Sequence, residues 1–160
     1  MVLIPLVSSA VSIPVIAAGG IATGRQMLAA MILGAEGVQI GSRFVASDEA
    51  SSHINFKNAV INSTEGDTVL TLKELAPVRI MKNNFYEEIL QAYQNHSGVE
   101  ELKNIFGQRR ARKGMFEGNL KDGELEIGQV SALIKEIRPA AEIVKEIWDE
   151  FNQSLNKPLK

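Results

Sequence analysis

Two short apolar runs that each stop abruptly at glycine constrain the fold of this chain more than anything else in it. The first, Ile13-Pro-Val-Ile-Ala-Ala18, ends at Gly19-Gly20; the second, Gly37-Val-Gln-Ile-Gly41, leads into Ser42. Compact apolar runs bounded in this way suit strands buried within a parallel sheet. Pro14 is tolerable near the start of the first run, because a strand's first residues can do without an amide donor. Between the runs, Thr23 can cap a helix in which Met27, Leu28, Met31 and Ile32 recur at helical spacing, and Gly34 is a natural stop. Strand, helix and strand therefore fit within about thirty residues, the size of a βαβ unit. In the second strand Val38 and Ile40 share one face, and Gln39 and Gly41 share the other.

The flanking sequence is less regular. Residues 3–12 read as a short helix, and its apolar opening reads as part of a packed helix. No basic segment precedes that opening, Pro5 interrupts it, and it falls short of the roughly 18 apolar residues that a membrane span needs. After Phe44 the chain turns polar. A polar helix is expected over 48–62, short strands over 68–72 and 78–81 around a turn at Ala76-Pro77, and helices over 85–94 and 99–106 broken at Ser97-Gly98. Leu75, Val78, Ile80 and Met81 are expected to form core beneath this segment. The basic, glycine-rich stretch 109–123 reads as a loop. Helices over 129–137 and 140–151 close the chain, with Pro139 in the first turn of the second, and 152–160 reads as a frayed tail.

Composition narrows the function classes. Of 160 residues, 17 are Lys or Arg and 19 are Asp or Glu, a balance that argues against a general attraction to nucleic acid or an anionic membrane. With no cysteine, disulfides and thiolate metal sites are impossible, and no metal is expected. With no targeting signal either, a cytoplasmic location is the expectation.

The chemistry sits in the two turns. Both would emerge at the carboxyl ends of adjacent strands, where α/β folds place their ligands. A phosphate held there needs bare backbone amides and close approach, which glycine permits because it lacks Cβ and tolerates positive φ. Ser42 can add a hydroxyl donor. Taken alone, Gly19-Gly20 reads as a tight strand-to-helix turn; with Gly41-Ser42 after the next strand, the pair reads as a phosphate site. His53 and His96 have no carboxylate or serine at a telling spacing and are expected at the surface. Arg109, Arg110, Arg112 and Lys113 form one basic cluster, expected to be a solvated loop, and Arg43 either meets phosphate or faces solvent.

These residues carry a family resemblance. Ile13-Pro-Val-Ile-Ala-Ala-Gly-Gly-Ile21 and Leu33-Gly-Ala-Glu-Gly-Val-Gln-Ile-Gly-Ser-Arg-Phe44 resemble the seventh and eighth strands of nitronate monooxygenases, also called 2-nitropropane dioxygenases. Flavin-dependent enoyl-acyl-carrier-protein reductases are related. Lys113-Gly-Met-Phe-Glu-Gly118 and Gly123-Glu-Leu-Glu-Ile-Gly-Gln129 are similar to that group's C-terminal region. The resemblance covers nearly all of this chain but about half of a family member. It implies an α/β chain that is the C-terminal part of a TIM (β/α)8 barrel, with a helical insertion or lid. Residues 1–48 would be the last βαβ part, 49–125 the lid, and 126–160 C-terminal helices packing back on the barrel.

The same resemblance implies FMN as cofactor, with Gly20 at its phosphate, Gly19 beside it, and Gln39, Ile40, Gly41 and Ser42 around strand eight. Threonine is also common where Ser42 stands. The family's Gly-Gly-His segment would lie upstream of Met1, so no catalytic residue is expected in this chain. The implied activity is oxidation of nitronates, with this chain a truncated piece that is inactive by itself; the partners expected are a nitronate or enoyl-thioester substrate and either a complementing N-terminal half or a second copy of the chain. Enoyl thioester reduction is the rival. An inosine-monophosphate-dehydrogenase-like barrel has similar turns, but the Gly123 to Gln129 segment disfavours it. A non-catalytic fragment or assembly module, with an unpaired sheet edge, is a further alternative.

Overall fold

The computed structural model describes residues 1–107 and 109–157. Helix α1 (Leu3–Ala10) leads into strand β1 (Ile16–Ala18), helix α2 (Gly24–Ile32) and strand β2 (Gly37–Gln39). The strands pair in parallel, with Ile16 opposite Gly37, Ala17 opposite Val38 and Ala18 opposite Gln39. They are shorter than the apolar runs: upstream of Ile16 the ladder thins to one bond, Glu36 N to the Val15 carbonyl at 2.8 Å, and Pro14 has no amide to add. Thr23 starts α2 as its sequence suggests, the hydroxyl accepting from Gln26 N at 3.2 Å. Past its end, Gly34 takes φ of 106°, which closes the helix.

Helix α7 (Ala140–Leu155) returns the far end of the chain to this unit. Ile143, Ile147 and Phe151 form one buried stripe at a four-residue spacing, and α7 packs along α2. Each buried apolar side chain contributes about 1.5–3 kcal/mol. The approach is close because of Gly24: a Cβ there would sit 2.2 Å from Phe151 N and 2.3 Å from the Ile147 carbonyl oxygen. Gly24 N and Arg25 Nε also donate to the Glu150 carboxylate at 2.7 and 3.1 Å.

The intervening segment builds a second layer. After a single helical turn, α3 (Ser42–Val45), comes helix α4 (Ile54–Ile61). Then β3 (Thr68–Thr71) and β4 (Val78–Met81) form an antiparallel hairpin. Residues 125–127 run along the other side of β4, with Met81 N bonded to the Leu125 carbonyl at 3.0 Å and Ile127 N to the Arg79 carbonyl at 3.1 Å. Helices α5 (Asn84–Gln94) and α6 (Val99–Phe106) cover the hairpin around Leu72, Ile80, Phe85, Ile89 and Leu102. Of the expected core group, Ile80 and Met81 are buried, while Leu75 and Val78 pack at its margin. A middle core of Ala46, Phe56, Val60, Met81, Leu125, Ile127 and Ile134 joins the layers.

Several elements differ from expectation, each for a tertiary reason. The helix over 48–62 begins only at Ile54, because Arg138 pairs beside Ser47 and Asp48 N bonds to the Arg138 carbonyl at 3.0 Å. The same pairing limits the helix over 129–137 to a 3-10 turn, Gln129–Leu133. Pro139 is the residue before α7 rather than inside its first turn, and α7 runs on to Leu155, beyond the expected start of the tail. Of that tail, 158–160 lie outside the described residues. The loop over 109–123 contains a π-helical turn, Arg112–Phe116. There Gly114 presses on the following segment: a Cβ would lie 2.2 Å from the Glu124 carbonyl oxygen.

Helix α1 buries none of its residues fully: Ile4 packs against the cluster of Ala17, Ile21, Ala30 and Ala35, while Leu3 and Ile13 are 72% and 70% exposed. Among the described residues no strand pairs with the outer edge of β1 or β2. No described helix is long and apolar enough to cross a membrane.

Substituting Gly24→Ala drives Cβ into the backbone of α7 and is expected to cost about 1–3 kcal/mol, read as a lower urea midpoint. Glu124 gives a pH signature. Burial, with Glu126 adding repulsion, pushes its carboxyl up from 4.5 to about 7. Folding therefore favours the protonated acid, and that stabilisation, full below 4.5, is lost as pH rises through about 7. Glu124→Gln is expected to flatten the fall in melting temperature over that window; parallel profiles for both proteins would contradict this.

Candidate functional site

Parallel pairing brings the two glycine turns side by side. Ala18, Gly19, Gly20 and Ile21 from the first turn, Gln39, Gly41 and Ser42 from the second, and Val130 from the 3-10 turn line one cleft of about 230 Å³. Gly19 and Gly20 take φ of 91° and 71°, and a Cβ on either would meet nothing within 4 Å. Glycine is required there by backbone conformation rather than by crowding. Among the described residues, the amides of Gly20, Ile21 and Gly41 donate to no protein acceptor. The Ser42 hydroxyl accepts from Gly128 N at 3.1 Å. Among the described residues no acidic side chain lines the cleft. Its inventory is thus backbone amides, a serine hydroxyl and the Gln39 amide, all uncharged donors suited to a compact anion.

Ile40 stands apart from the other candidates. It lies with Val38 on the opposite face, in an apolar recess with Met27, Phe44, Ile147 and Trp148. Period-two alternation explains the split, sending Gln39 and Gly41 to the cleft and their neighbours to the helices.

Most of the remaining candidates have structural partners, while Arg109 and His96 are exposed. Arg43 neither reaches the cleft nor faces solvent: it is 7% exposed, and Nη1 donates to the Glu136 carbonyl at 3.3 Å. Its burial lowers its pKa, against the opposing pull of Glu146 and Glu136. Arg110 is not a solvated loop residue. It donates to the Asp122 carbonyl at 2.7 Å and to Glu88 at 2.8 Å, and its guanidinium lies 5.1 Å from the Phe85 ring centroid. Arg112 and Lys113 pair with Glu117 and Asp122. His53 is half-buried rather than on a polar helix face. It caps α4, with Nδ1 accepting from Asn55 N at 3.1 Å, and its ring fills the space a Gly118 side chain would need. His96 is exposed at the end of α5, with φ of 55°.

Sequence reasoning missed Gly128 and Val130, which approach the cleft from about ninety residues downstream. The segment Gly123-Glu-Leu-Glu-Ile-Gly-Gln129 was legible only as a family motif. Its glycine at position 128 is the one local signal of a close approach.

Known proteins match both the sequence and this architecture. The protein-family model for nitronate monooxygenase matches residues 1–150. A probable nitronate monooxygenase from Staphylococcus saprophyticus is 32% identical over 158 residues, which are 98% of this chain and 44% of that protein. Among solved structures, FabK from Thermotoga maritima is 39% identical with a TM-score of 0.87, covering 96% of this chain and 49% of FabK. A nitroalkane oxidase from Streptomyces ansochromogenes is 27% identical with a TM-score of 0.75, covering 96% of this chain and 43% of that one. The chain thus spans about half the length of the relatives it matches. With 150 of its residues within one family model, this α/β chain belongs to the nitronate monooxygenase family.

Proposed function

We propose that this chain is the C-terminal part of a (β/α)8 barrel, with β1 and β2 as strands seven and eight, and that it holds the phosphate of FMN in an oxidoreductase acting on nitronates. The observation that carries the reading is the cleft between the two turns, which Gly20, Ile21, Gly41 and Ser42 line together, the three amides donating to no acceptor among the described residues. Phosphate sites after the seventh and eighth strands recur in barrels of this type. The cleft suits the phosphate rather than the whole cofactor, since about 230 Å³ is small for a flavin.

Bound FMN would supply the redox chemistry, taking electrons from a nitronate that oxygen then converts to a carbonyl compound and nitrite. The chain's own residues bind and orient. Gly19 and Gly20 keep side chains out of the phosphate's approach, Gln39 offers its amide at the barrel mouth, and Val130 closes one wall against water. Among the described residues no histidine lines the cleft. The unpaired edges of β1 and β2 and the exposed apolar side chains of α1 and Ile13 are the surfaces the rest of the barrel would cover.

A second reading, flavin-dependent reduction of an enoyl thioester, is favoured by the likeness to FabK, which is at higher identity than that to the nitroalkane oxidase. The two share the phosphate site and differ in electron donor: nitronate-dependent oxygen uptake by the complete barrel supports the first, and crotonyl-thioester-dependent NAD(P)H oxidation supports the second.

Flavin fluorescence titration tests the phosphate site directly. The purified chain should bind FMN at least about tenfold more tightly than riboflavin, since each charge-assisted hydrogen bond is worth about 1.5–3 kcal/mol, and inorganic phosphate should compete. Equal affinity for the two flavins would remove the basis of the proposal. Without the rest of the barrel, this 160-residue chain is expected to show no nitronate-dependent oxygen uptake; measurable turnover would refute that part.

A further inference from the structure

Gly128 is a glycine whose backbone does not require one. Its φ of −70° and ψ of 153° are extended values open to any L residue. What glycine provides there is room. A Cβ at Gly128 would lie 2.7 Å from Ser42 Oγ, the oxygen to which the Gly128 amide donates at 3.1 Å.

A serine hydroxyl carries two acceptor lone pairs and one proton. With the Gly128 N–H on one lone pair, the proton points away from Gly128, and among the described residues it meets no acceptor. Ser42 meanwhile lines the cleft. The donor is firmly mounted, because residues 125–127 pair along β4 and Leu125 and Ile127 are 3% and 4% exposed. We propose that Gly128 is a positioning residue for the anion site: its amide turns the Ser42 proton into the cleft, and its missing side chain lets the hydroxyl stay there. The hairpin layer thereby reaches the cradle through one hydrogen bond. This rests on the phosphate reading above.

The test is a double-mutant cycle read by flavin binding. In Gly128→Ala the new Cβ meets the free end of a small side chain, so Ser42 can rotate aside while the fold survives, which a melting curve verifies. The expected result is FMN affinity about tenfold weaker, riboflavin affinity unchanged, and no further effect of Gly128→Ala in a Ser42→Ala background. Ser42→Thr, which keeps the hydroxyl, should retain the preference for FMN. If the parent chain prefers FMN but Gly128→Ala binds it equally well, or if the loss persists without the Ser42 hydroxyl, the inference fails and the phosphate site stands. If the parent chain does not distinguish FMN from riboflavin, the phosphate reading fails and takes this inference with it. Should Gly128→Ala not fold, amide exchange at Gly128 in the parent chain decides. Slowing by FMN and not by riboflavin supports the clamp, and no change with FMN overturns it.

Discussion

The site depends on the parallel direction of one strand pair. Because β1 and β2 run the same way, their carboxyl ends lie together, and so do the turns that follow them. Antiparallel pairing of the same residues would put Gly19-Gly20 and Gly41-Ser42 at opposite ends. A parallel pair needs a crossover, which α2 provides. Helix α2 in turn is fixed by α7, through the contact at Gly24 and the Glu150 carboxylate. Packing at the back of the unit thus holds the geometry of the cleft at its front.

Charged side chains in the interior serve the backbone. Lys57 is 6% exposed and donates to the Ser47 and Asp48 carbonyls at 2.5 and 3.2 Å, holding the turn after α3. Arg43 does the same for the Glu136 carbonyl, and Arg110 for that of Asp122. A buried cation is costly unless its hydrogen bonds are met; Lys57 and Arg110 bridge neighbouring turns, and Arg43 ties together segments 93 residues apart. Arg43 joins the second glycine turn to the stretch before α7, which also carries Val130 and Gly128 to the cleft. The basic side chains nearest the site in sequence are therefore structural, and the cleft itself is lined by neutral donors.

Two features of the surface complement the half-length match to relatives. A two-stranded sheet with three residues in each strand is too small to stand alone as a barrel core. The apolar side chains flanking it, from Met1 through Ile16, are largely exposed. By contrast the hairpin layer with α5 and α6 encloses its own core, with Leu72, Ile80, Phe85 and Ile89 at most 1% exposed. The cleft between the two glycine turns lies beside the βαβ unit, with Val130 on its wall.

Local rules made the βαβ unit legible. The apolar runs, the Thr23 cap and the Gly34 stop each express a preference that holds wherever the residues sit, and the alternation of Val38, Gln39, Ile40 and Gly41 follows from the pleat alone. The positive φ of Gly19 and Gly20 also agrees with what glycine pairs permit. Long-range contacts decided the rest. Nothing near Arg138 in sequence announces that it pairs beside Ser47 and trims two helices, and nothing near Arg43 announces the Glu136 carbonyl. His53 became a cap because the Gly118 backbone packs on its ring, and Gly128 came to Ser42 because residues 125–127 are held against β4. The sequence by itself determined which residues could make an anion cradle, since conformational freedom and bare amides are local properties. Tertiary structure alone decided that the two turns face one cleft and which residues close it, because burial and pairing depend on segments that meet only after folding.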